Sequence, residues 1–333
     1  YPRRPTPSGL SESHERGQHI RAWGARTVLS SARLQVHASA AQQEVGKLAS
    51  KGPKQPGTGY VVVITGSTKG VGRALAERFL QEGDSVVVTS RSHDAVQEAV
   101  EELGSKYGID RVGGVACNVC KGSEVATLAE YTRQTFGRAD IWINNAGTNA
   151  YYYGPLSEAS EADLAAIVET NVLGVMLCCR EAIKLMKEQP GTGHIFNMDG
   201  AGADGNPTPR FAAYGATKRG LQQFSKSLQA ELKMQEIDNV VIHNLSPGMV
   251  TTELLMSGAN TPQSKWFINC LAETAEDVAD FLVPRVRQVH QSSGAGGSVQ
   301  PTYIQFLKKP KAFSQIIGRA LFGLRKNRWV PEE

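Results

Sequence analysis

The amino-acid sequence predicts an α/β fold in which helices cover both faces of a mostly parallel sheet. From Tyr60 onward, short runs of β-branched residues alternate with longer segments whose apolar residues recur at helical spacing. The strand-like runs are continuously apolar, as expected for parallel strands buried on both faces. A glycine-rich turn follows the first of these runs. Together these observations predict a single doubly wound domain over residues 58–307.

The same pattern predicts seven strands. They are Val61–Thr65, Ser85–Thr89, Val112–Ala116, Ile141–Asn145, His194–Asn197, Val240–Leu245 and Tyr303–Leu307. The helices that follow the first five strands are Val71–Glu82, Asp94–Leu103, Glu124–Phe136, Leu164–Glu188 and Ala212–Met234. A glycine- and serine-rich segment, residues 292–298, predicts a loop before the seventh strand.

Charge is unevenly distributed along the 333 residues, although the net charge is only +4. Residues 1–57 hold nine Lys and Arg against three acidic residues, and residues 303–333 hold seven against two. The middle is therefore mildly acidic, which argues against a nucleic-acid-binding surface on the core. No run reaches the ~18 consecutive apolar residues of a spanning helix, so no membrane-spanning segment is expected.

The five cysteines are odd in number and do not form the pattern of a secreted disulfide framework. Cys117 and Cys120 have C-x-x-C spacing, but no thioredoxin-like pattern surrounds them. Reduced, structural thiols are therefore expected, and no metal site is predicted.

The first 57 residues are rich in Arg, Ser and Ala, and they end in a Gly/Pro-rich run from Lys51 to Gly57. This composition is typical of an organelle transit peptide followed by a linker. The alternative is a basic extension in which residues 34–48 become helical on binding a partner.

Residues 308–333 form a basic tail with an amphipathic pattern. At helical spacing one face is apolar, and it holds Phe313, Ile316, Ile317, Ala320, Leu321 and Leu324. Such a segment either lies on an anionic membrane or partner, or packs its apolar face on the sheet with its charges in water.

The glycine-rich turn, residues 65–72, reads T-G-S-T-K-G-V-G and lies between the first strand and the first helix. Glycine allows positive φ and a close approach of the backbone to a pyrophosphate, whose charge is stabilised by the helix N-terminus. The turn therefore predicts a dinucleotide site. Its candidate residues are Thr65, Gly66, Ser67, Thr68, Lys69, Gly70, Val71 and Gly72.

The end of the second strand indicates which dinucleotide is preferred. NAD-binding folds place an acid there to bind the ribose hydroxyls. This chain has Thr89, Ser90 and Arg91 instead. Arg91 and Lys69 are placed to pair with a 2′-phosphate, and Ser90 to hydrogen-bond it, so NADP(H) is favoured.

Three further motifs follow in order: N-N-A-G at residues 144–147, Y-G-A-T-K at 214–218 and P-G at 247–248. With the glycine-rich turn, they resemble the short-chain dehydrogenase/reductase family from about Tyr60 to Leu307. The resemblance implies one Rossmann domain that holds both the cofactor and the catalytic residues. It places Asn118 at the adenine, Lys218 at the nicotinamide ribose and Asn171 at a proton-relay water. The remaining cofactor contacts that it implies are Asn145, Ala146, Gly147, Tyr214, Pro247 and Gly248.

Proton transfer explains the pairing of Tyr214 with Lys218. A carbonyl that accepts hydride develops negative charge on oxygen and must be protonated. A free phenol, with a pKa of ~10, is a poor acid–base group near neutral pH. A lysine four residues later lies one helical turn away, and its charge favours the phenolate. Tyr214 is therefore the predicted proton donor.

One departure from the family pattern concerns the substrate carbonyl. The family normally has a serine about 13 residues before the tyrosine, but no serine occurs between residues 193 and 213. Asp199 or Gly200 falls near that position. A protonated, desolvated Asp199 is one candidate donor to the carbonyl. Alternatively, the substrate needs no such donor.

The segment F-N-M-D-G-A-G, residues 196–202, also resembles the chlorophyll(ide) b reductases, closest to the plastid form without transmembrane helices. Residues 266–273 and the C-terminal residues 301–328 share this resemblance. It implies NADPH-dependent reduction of the 7-formyl group of chlorophyll b or chlorophyllide b. It also implies a chloroplast location, peripheral on the thylakoid membrane, with a membrane-anchored paralogous reductase as a further partner. A homo-oligomer is compatible with the sequence.

The substrate side of the site is less defined by sequence. Tyr151, Tyr152 and Tyr153 follow the N-N-A-G turn and either stack on a flat macrocycle or form an ordinary loop cluster. Residues 249–271 are expected to cover the substrate, with Met256 and Trp266 giving apolar contacts. The alternative functions are reduction of another apolar aldehyde or ketone, or a non-catalytic scaffold subunit of the same fold.

Overall fold

The computed structural model describes residues 59–293 and 300–332, and its centre is a seven-stranded sheet. The strand order is β3-β2-β1-β4-β5-β6-β7, and every pairing is parallel. The strands are β1 Val61–Thr65, β2 Ser85–Thr89, β3 Val112–Gly114, β4 Ile141–Asn144, β5 Gly193–Met198, β6 Val240–Ser246 and β7 Tyr303–Gln305. The predicted fold class is confirmed, and the sheet is parallel throughout.

Helices cover both faces of this sheet. They are α1 Gly70–Gln81, α2 His93–Tyr107, α3 Gly122–Phe136, α4 Glu161–Val168, α5 Val175–Lys187, α6 Ala212–Met234, α7 Glu253–Met256, α8 Pro262–Leu271, α9 Ala275–Ser293 and α10 Lys309–Phe322. Short 3-10 turns occur at Ile109–Arg111 and Leu156–Glu158. Predicted and observed bounds agree within a few residues, and α6 has the predicted bounds.

The sheet is buried because its strands are apolar on both faces. In β1, Val62 is in register with Val86 of β2 on one side and with Ile141 of β4 on the other. All five residues of β1 are buried. Burying such side chains contributes ~1.5–3 kcal/mol each. The strand order reverses between β1 and β4, which opens a crevice at the carboxyl ends of these strands.

The helix predicted at residues 164–188 is a continuous helical run from Glu161 to Lys187, interrupted by a π turn at Glu169–Gly174. On length and composition alone, this run of mean hydropathy 1.6 qualifies as a candidate membrane span. A core helix of a folded domain also meets this measure, so the expectation that no segment spans a membrane stays a prediction. In the described fold, α5 packs against α3, β4 and β5, as a core helix does.

The chain after β7 is anchored by its last residues. Arg325 donates to the Ala272 carbonyl at 2.7 Å and pairs with Glu273 at 2.9 Å, and the Trp329 indole also donates to Ala272. Asn269 accepts hydrogen bonds from the main chain of residues 329 and 330. We call these contacts the tail clamp. The predicted transit peptide and linker, residues 1–57, lie outside the described residues, as does the loop at 294–299.

Helix α10 buries a charged side chain and exposes apolar ones, which is the reverse of an ordinary surface helix. Arg319 is buried and pairs with Glu332, whereas large apolar side chains of the same helix face outward. Leu321 and Phe322 are 71% and 73% exposed. We call the outward-facing residues the apolar tail face: Phe313, Ile317, Leu321, Phe322 and Leu324. The hypothesis that this apolar face packs on the sheet is therefore wrong, although the clamp does dock the segment that follows.

Candidate active site

The glycine-rich turn joins β1 to α1 at the crevice. Gly66 and Gly70 have φ values of +65° and +58°, a region that favours glycine. A Cβ on Gly72 would lie 2.3 Å from the carbonyl oxygen of Gly66, so only glycine allows this close packing. The N-cap of α1, Lys69, makes no side-chain capping bond, so the first N–H groups of the helix remain available to an anion.

Two sets of hydrogen bonds hold the turn. The Ser67 hydroxyl donates to the Ile64 carbonyl at 2.6 Å and accepts from the Thr89 N–H, which fixes the turn to the end of β2. On the other side, the Thr65 hydroxyl accepts from the N–H groups of Asn145 and Ala146, both at 3.0 Å. The predicted pyrophosphate turn and the N-N-A-G turn are therefore one connected structure.

The predicted 2′-phosphate residues lie at the end of β2 and in the turn. Arg91 is exposed, and no acid occurs among residues 90–92. The Ser90 hydroxyl donates to the Ser92 carbonyl. Lys69 pairs with Glu253 at the start of α7, a contact that the sequence did not indicate. We call Arg91 the open cation of this group, because it is exposed and no ion pair involves it among the described residues. Lys69 would have to leave Glu253 to reach a phosphate.

The remaining predicted cofactor residues lie at the same edge of the sheet. Asn118 follows β3, and its side-chain oxygen accepts from the Cys120 N–H at 3.1 Å. Gly248 follows β6 with a φ of +72°, and a Cβ there would lie 2.8 Å from the Cβ of Leu307. Pro247 precedes it. A Cβ placed on Gly147 would lie 3.3 Å from the side-chain oxygen of Asn171 and 3.5 Å from the Lys218 ammonium. A glycine here therefore leaves room for both groups.

Tyr214 and Lys218 lie one turn apart on α6. The Lys218 ammonium is 5.5 Å from the centre of the Tyr214 ring and donates to the Met198 carbonyl at 3.0 Å. Burial lowers the pKa of Lys218 to about 8, whereas a nearby Asp199 charge raises it. Burial also raises the pKa of the Tyr214 phenol above its ordinary value. The phenol is therefore protonated at neutral pH, as a proton donor must be.

Asn171 lies in the π turn between α4 and α5 and is fully buried. Its side-chain oxygen accepts from the Thr148 N–H, and its amide donates to the Thr148 carbonyl, both at 2.8 Å. The amide also donates to Thr217 of α6 at 3.2 Å. Single π turns inside helices are frequent at functional sites. Here the π turn joins the loop after the N-N-A-G turn to the helix that holds Tyr214 and Lys218.

Comparison with known proteins agrees with this geometry. Residues 60–263 match the short chain dehydrogenase family. The chain belongs to this family. Chlorophyll(ide) b reductase NOL, chloroplastic, from Arabidopsis thaliana is 53% identical over 309 residues, which cover 93% of this chain and 87% of that protein. The protein of the same name from Oryza sativa subsp. japonica is 56% identical, with 82% and 79% covered.

A further relative is longer than this chain. The probable chlorophyll(ide) b reductase NYC1, chloroplastic, from Arabidopsis thaliana is 42% identical over 82% of this chain and 55% of its own length. Among solved structures, L-sorbose reductase from Gluconobacter frateurii, complexed with NADPH and L-sorbose, is 29% identical. Its TM-score is 0.60, with 74% of this chain and 94% of that one covered. The predicted membership of the short-chain dehydrogenase/reductase family is confirmed.

Gly200, one of the two residues near the expected serine position, lies directly beside Tyr214. A Cβ on Gly200 would lie 2.3 Å from the Tyr214 hydroxyl oxygen. The hydroxyl therefore occupies the space that a side chain at 200 would need. Asp199, the other candidate, has its carboxyl directed to Tyr303 of β7 and to Gln222 of α6. Neither residue therefore places a side-chain hydroxyl beside Tyr214, as a serine would.

The three tyrosines after the N-N-A-G turn differ in their contacts and exposure. Tyr152 donates to the Pro155 carbonyl at 2.7 Å, and Tyr153 packs against Phe211 with a ring separation of 4.7 Å. Tyr151 is 55% exposed. The loop before α8 closes over this cluster, since a Cβ on Gly258 would lie 3.6–3.7 Å from Phe211 and Tyr153.

Several site residues were not predicted from the sequence. They are Tyr303, Gln222 and Ser246 around Asp199, Glu253 opposite Lys69, and Phe211 beside Tyr153. Most of these contacts join residues far apart in sequence, and no local motif marks them. Gly200, in contrast, was a candidate from the sequence, because its spacing from Tyr214 places it near the missing serine.

Restoring the family serine is expected to impair this enzyme. Gly200→Ser forces Tyr214 to move, and displacement of a reacting group by about 1 Å lowers the rate by up to about 100-fold. We therefore expect kcat to fall at least about 10-fold. The measurement is steady-state kinetics beside Gly200→Ala, which adds the Cβ without the hydroxyl and should behave similarly. A Gly200→Ser variant faster than the parent would show that the enzyme merely lacks a donor.

Proposed function

We propose that this chain reduces the 7-formyl group of chlorophyll b or chlorophyllide b to hydroxymethyl, with NADPH, in the chloroplast. The observation that supports this most is identity of 53–56% to chlorophyll(ide) b reductases over most of the chain. The Arabidopsis match covers 93% of the chain, more than the 60–263 segment common to the wider family. The intact Tyr214, Lys218 and Asn171 geometry supports an active enzyme rather than a scaffold.

NADP(H) is the cofactor we propose. The glycine-rich turn fits a dinucleotide because the N-terminus of α1 has no side-chain cap, so its first N–H groups remain available to a phosphate. Thr65–Gly72 and the N-terminus of α1 would hold the pyrophosphate, and Arg91, Ser90 and Lys69 the 2′-phosphate. Asn118 would contact the adenine, and Asn145–Gly147, Pro247 and Gly248 the nicotinamide half. When bound, the cofactor supplies the hydride that reduces the carbonyl carbon.

The protein's own residues manage the proton. Tyr214 hydrogen-bonds the substrate oxygen and gives up its proton as negative charge develops there. The nearby Lys218 ammonium stabilises the resulting phenolate. Asn171 connects this pair to the Thr148 loop and holds the relay that returns a proton to Tyr214. Asp199 completes the proposed catalytic group as the buried acid beside Lys218.

The substrate would lie between the Tyr153–Phe211 cluster and the segment from Met249 to Leu271. Trp266 and Phe267 of α8 form an edge-to-face pair with rings 5.0 Å apart, and Phe267 is 37% exposed. Such aromatic surface suits a flat macrocycle. An NADPH-dependent reductase of another apolar aldehyde or ketone is the alternative function.

Tyr214→Phe is expected to abolish turnover and to leave NADPH binding nearly unchanged. The hydroxyl is needed when charge develops on the substrate oxygen, so kcat should fall at least about 100-fold. NADPH oxidation with chlorophyllide b, measured beside a simple aldehyde, tests the substrate and the residue together. Lys218→Ala should weaken both turnover and cofactor binding. A wild-type enzyme that prefers simple aldehydes would overturn the proposed substrate. Near-normal turnover by the Tyr214→Phe variant would show that Tyr214 is not the proton donor.

NADPH should be preferred over NADH. Arg91→Asp removes the open cation and introduces the acid that suits NAD, so the ratio of kcat/KM for the two cofactors should fall about 10-fold or reverse. Lys187→Asp, an equal charge change at the far end of α5, is the matched control. Equal kcat/KM for both cofactors in the wild-type enzyme would show that the interpretation of Arg91 is wrong.

We further propose that the apolar tail face attaches the enzyme to the thylakoid surface. Basic residues surround it, and Lys308, Lys309, Lys311 and Lys326 are exposed. Arg319, Arg325 and Arg328 are paired with Glu332 or Glu273 and do not contribute freely. Each free basic residue adds ~1 kcal/mol near an anionic surface. Apolar burial should therefore give most of the binding.

Leu321→Ser with Phe322→Ser should weaken binding to phosphatidylglycerol-containing vesicles at least about 10-fold, since two large apolar side chains no longer enter the interface. Reduction of soluble chlorophyllide b should persist. These substitutions are preferable to truncation at Lys309, which would remove the tail clamp from Ala272 and Glu273. Met234→Ser, at another exposed apolar residue, is the control. Unchanged vesicle binding by the double variant would refute attachment through this face and favour a protein partner.

A further inference from the structure

Asp199 is a buried acid held from three elements of the fold. The backbone N–H of Asp199 donates to the Leu245 carbonyl of β6 at 2.8 Å, which fixes the backbone directly after β5. Its side chain is 3% exposed. The Tyr303 hydroxyl of β7 donates to the Oδ2 atom, as does the Gln222 amide of α6 at 3.3 Å. Ser246 of β6 also hydrogen-bonds this carboxyl.

The other carboxyl oxygen is less well satisfied. Oδ1 of Asp199 is buried and has no hydrogen-bond partner within residues 59–293 and 300–332. The ionisable groups that act on this carboxyl are Tyr303 on β7, Lys218 on α6 and Asp204 in the following loop. Burial raises the pKa of Asp199 to about 6, and both Tyr303 and Lys218 oppose that rise. The carboxyl is therefore mostly ionised at neutral pH.

Lys218 needs a negative charge close by. Lys218 is 3% exposed, and among residues 59–293 and 300–332 the one hydrogen bond that its ammonium donates goes to a neutral acceptor, the Met198 carbonyl. A buried ammonium without a counter-charge tends to lose its proton. Gln222 lies one helical turn after Lys218 on α6, so the Asp199 carboxyl that accepts from Gln222 lies along the same face of the helix. Asp199 is the ionisable group that raises the pKa of Lys218.

We propose that Asp199 is a positioning residue that keeps Lys218 charged, and that Tyr303 of β7 holds the Asp199 carboxylate in place for this purpose. The proposal rests on the proposed reductase function, because it is the Lys218 charge that stabilises the Tyr214 phenolate. It assigns Asp199 an ionised role behind the catalytic pair. It thereby differs from the expectation that a protonated Asp199 donates to the substrate carbonyl.

The two roles give opposite pH behaviour. An ionised counter-charge is present above a pH of about 6, where a protonated donor disappears. Reduction requires charged Lys218, so its rate falls as pH rises through the pKa of Lys218. If Asp199 supports that charge, loss of the carboxylate lowers the pKa of Lys218, and the alkaline limb moves to lower pH.

The test is the pKa of Lys218, measured without any substrate. NMR titration of the full chain with Nζ-labelled lysine, assigned through Lys218→Arg, gives this value directly. We expect Asp199→Asn and Asp199→Ala to lower it alike, by about one pH unit. Tyr303→Phe should lower it by less, since the carboxylate remains but loses its donor. Tyr107→Phe, which removes a remote hydroxyl from Glu77, should leave it unchanged.

Kinetics on the same proteins separates the alternatives. The alkaline limb of kcat/KM should move with the Lys218 pKa in both Asp199 variants. An unchanged Lys218 pKa in folded Asp199→Asn and Tyr303→Phe overturns the proposal. Asp199→Asn activity well above that of Asp199→Ala, with no shift of the limb, would favour direct donation instead. A shifted Lys218 pKa in an enzyme that does not reduce chlorophyllide b would refute only the proposed substrate.

Discussion

The hydroxyl of Thr65 links the two halves of the site at the point where the strand order reverses. β1 and β4 are paired up to Ile64 and Ile143, but the segments that follow them lead to helices on opposite faces of the sheet. Thr65 accepts hydrogen bonds from Asn145 and Ala146, and the Asn145 amide donates back to the carbonyls of Thr65 and Gly66. This pairing fixes the glycine-rich turn relative to the turn that contacts Asn171. The residues proposed for cofactor binding and those proposed for proton transfer therefore share one hydrogen-bonded support.

Burial is the second constraint, and it acts on charge. In the proposed mechanism, Lys218 must remain an ammonium although it lies in the interior, and Tyr214 must remain protonated until the substrate oxygen becomes negative. Burial alone lowers the pKa of Lys218 and raises that of Tyr214. Desolvation thus protects the proton of the phenol but works against the charge of the lysine. The Asp199 carboxylate acts in the direction that restores that charge.

The sequence predicted the elements that depend on local pattern. Helix α6 has a long apolar period, and its observed bounds match the predicted ones. The π turn at Asn171 was not predictable, since it depends on hydrogen bonds with Thr148 in another loop. The contact between Asp199 and Tyr303 joins residues 104 positions apart. In the C-terminal segment, Phe313, Ile317, Leu321 and Leu324 of the predicted apolar face are on the outward face, whereas the outward-facing Phe322 was not predicted. Which face points inward depends on the ion pair of Arg319 with Glu332, which the periodicity does not contain.

Residues beyond the family segment complete the site of this chain. Tyr303 hydrogen-bonds Asp199, near the proposed catalytic pair, and Leu307 packs on Gly248, where the nicotinamide is proposed to lie. The tail clamp fixes the C-terminal end of α8, the helix whose aromatic residues are proposed to cover the substrate. The family match covers residues 60–263. In the proposed function, the additional C-terminal residues would connect the reaction site to the cover over the substrate and to the apolar tail face. Membrane attachment and substrate enclosure would then share one structural element, which suits a substrate that is itself hydrophobic.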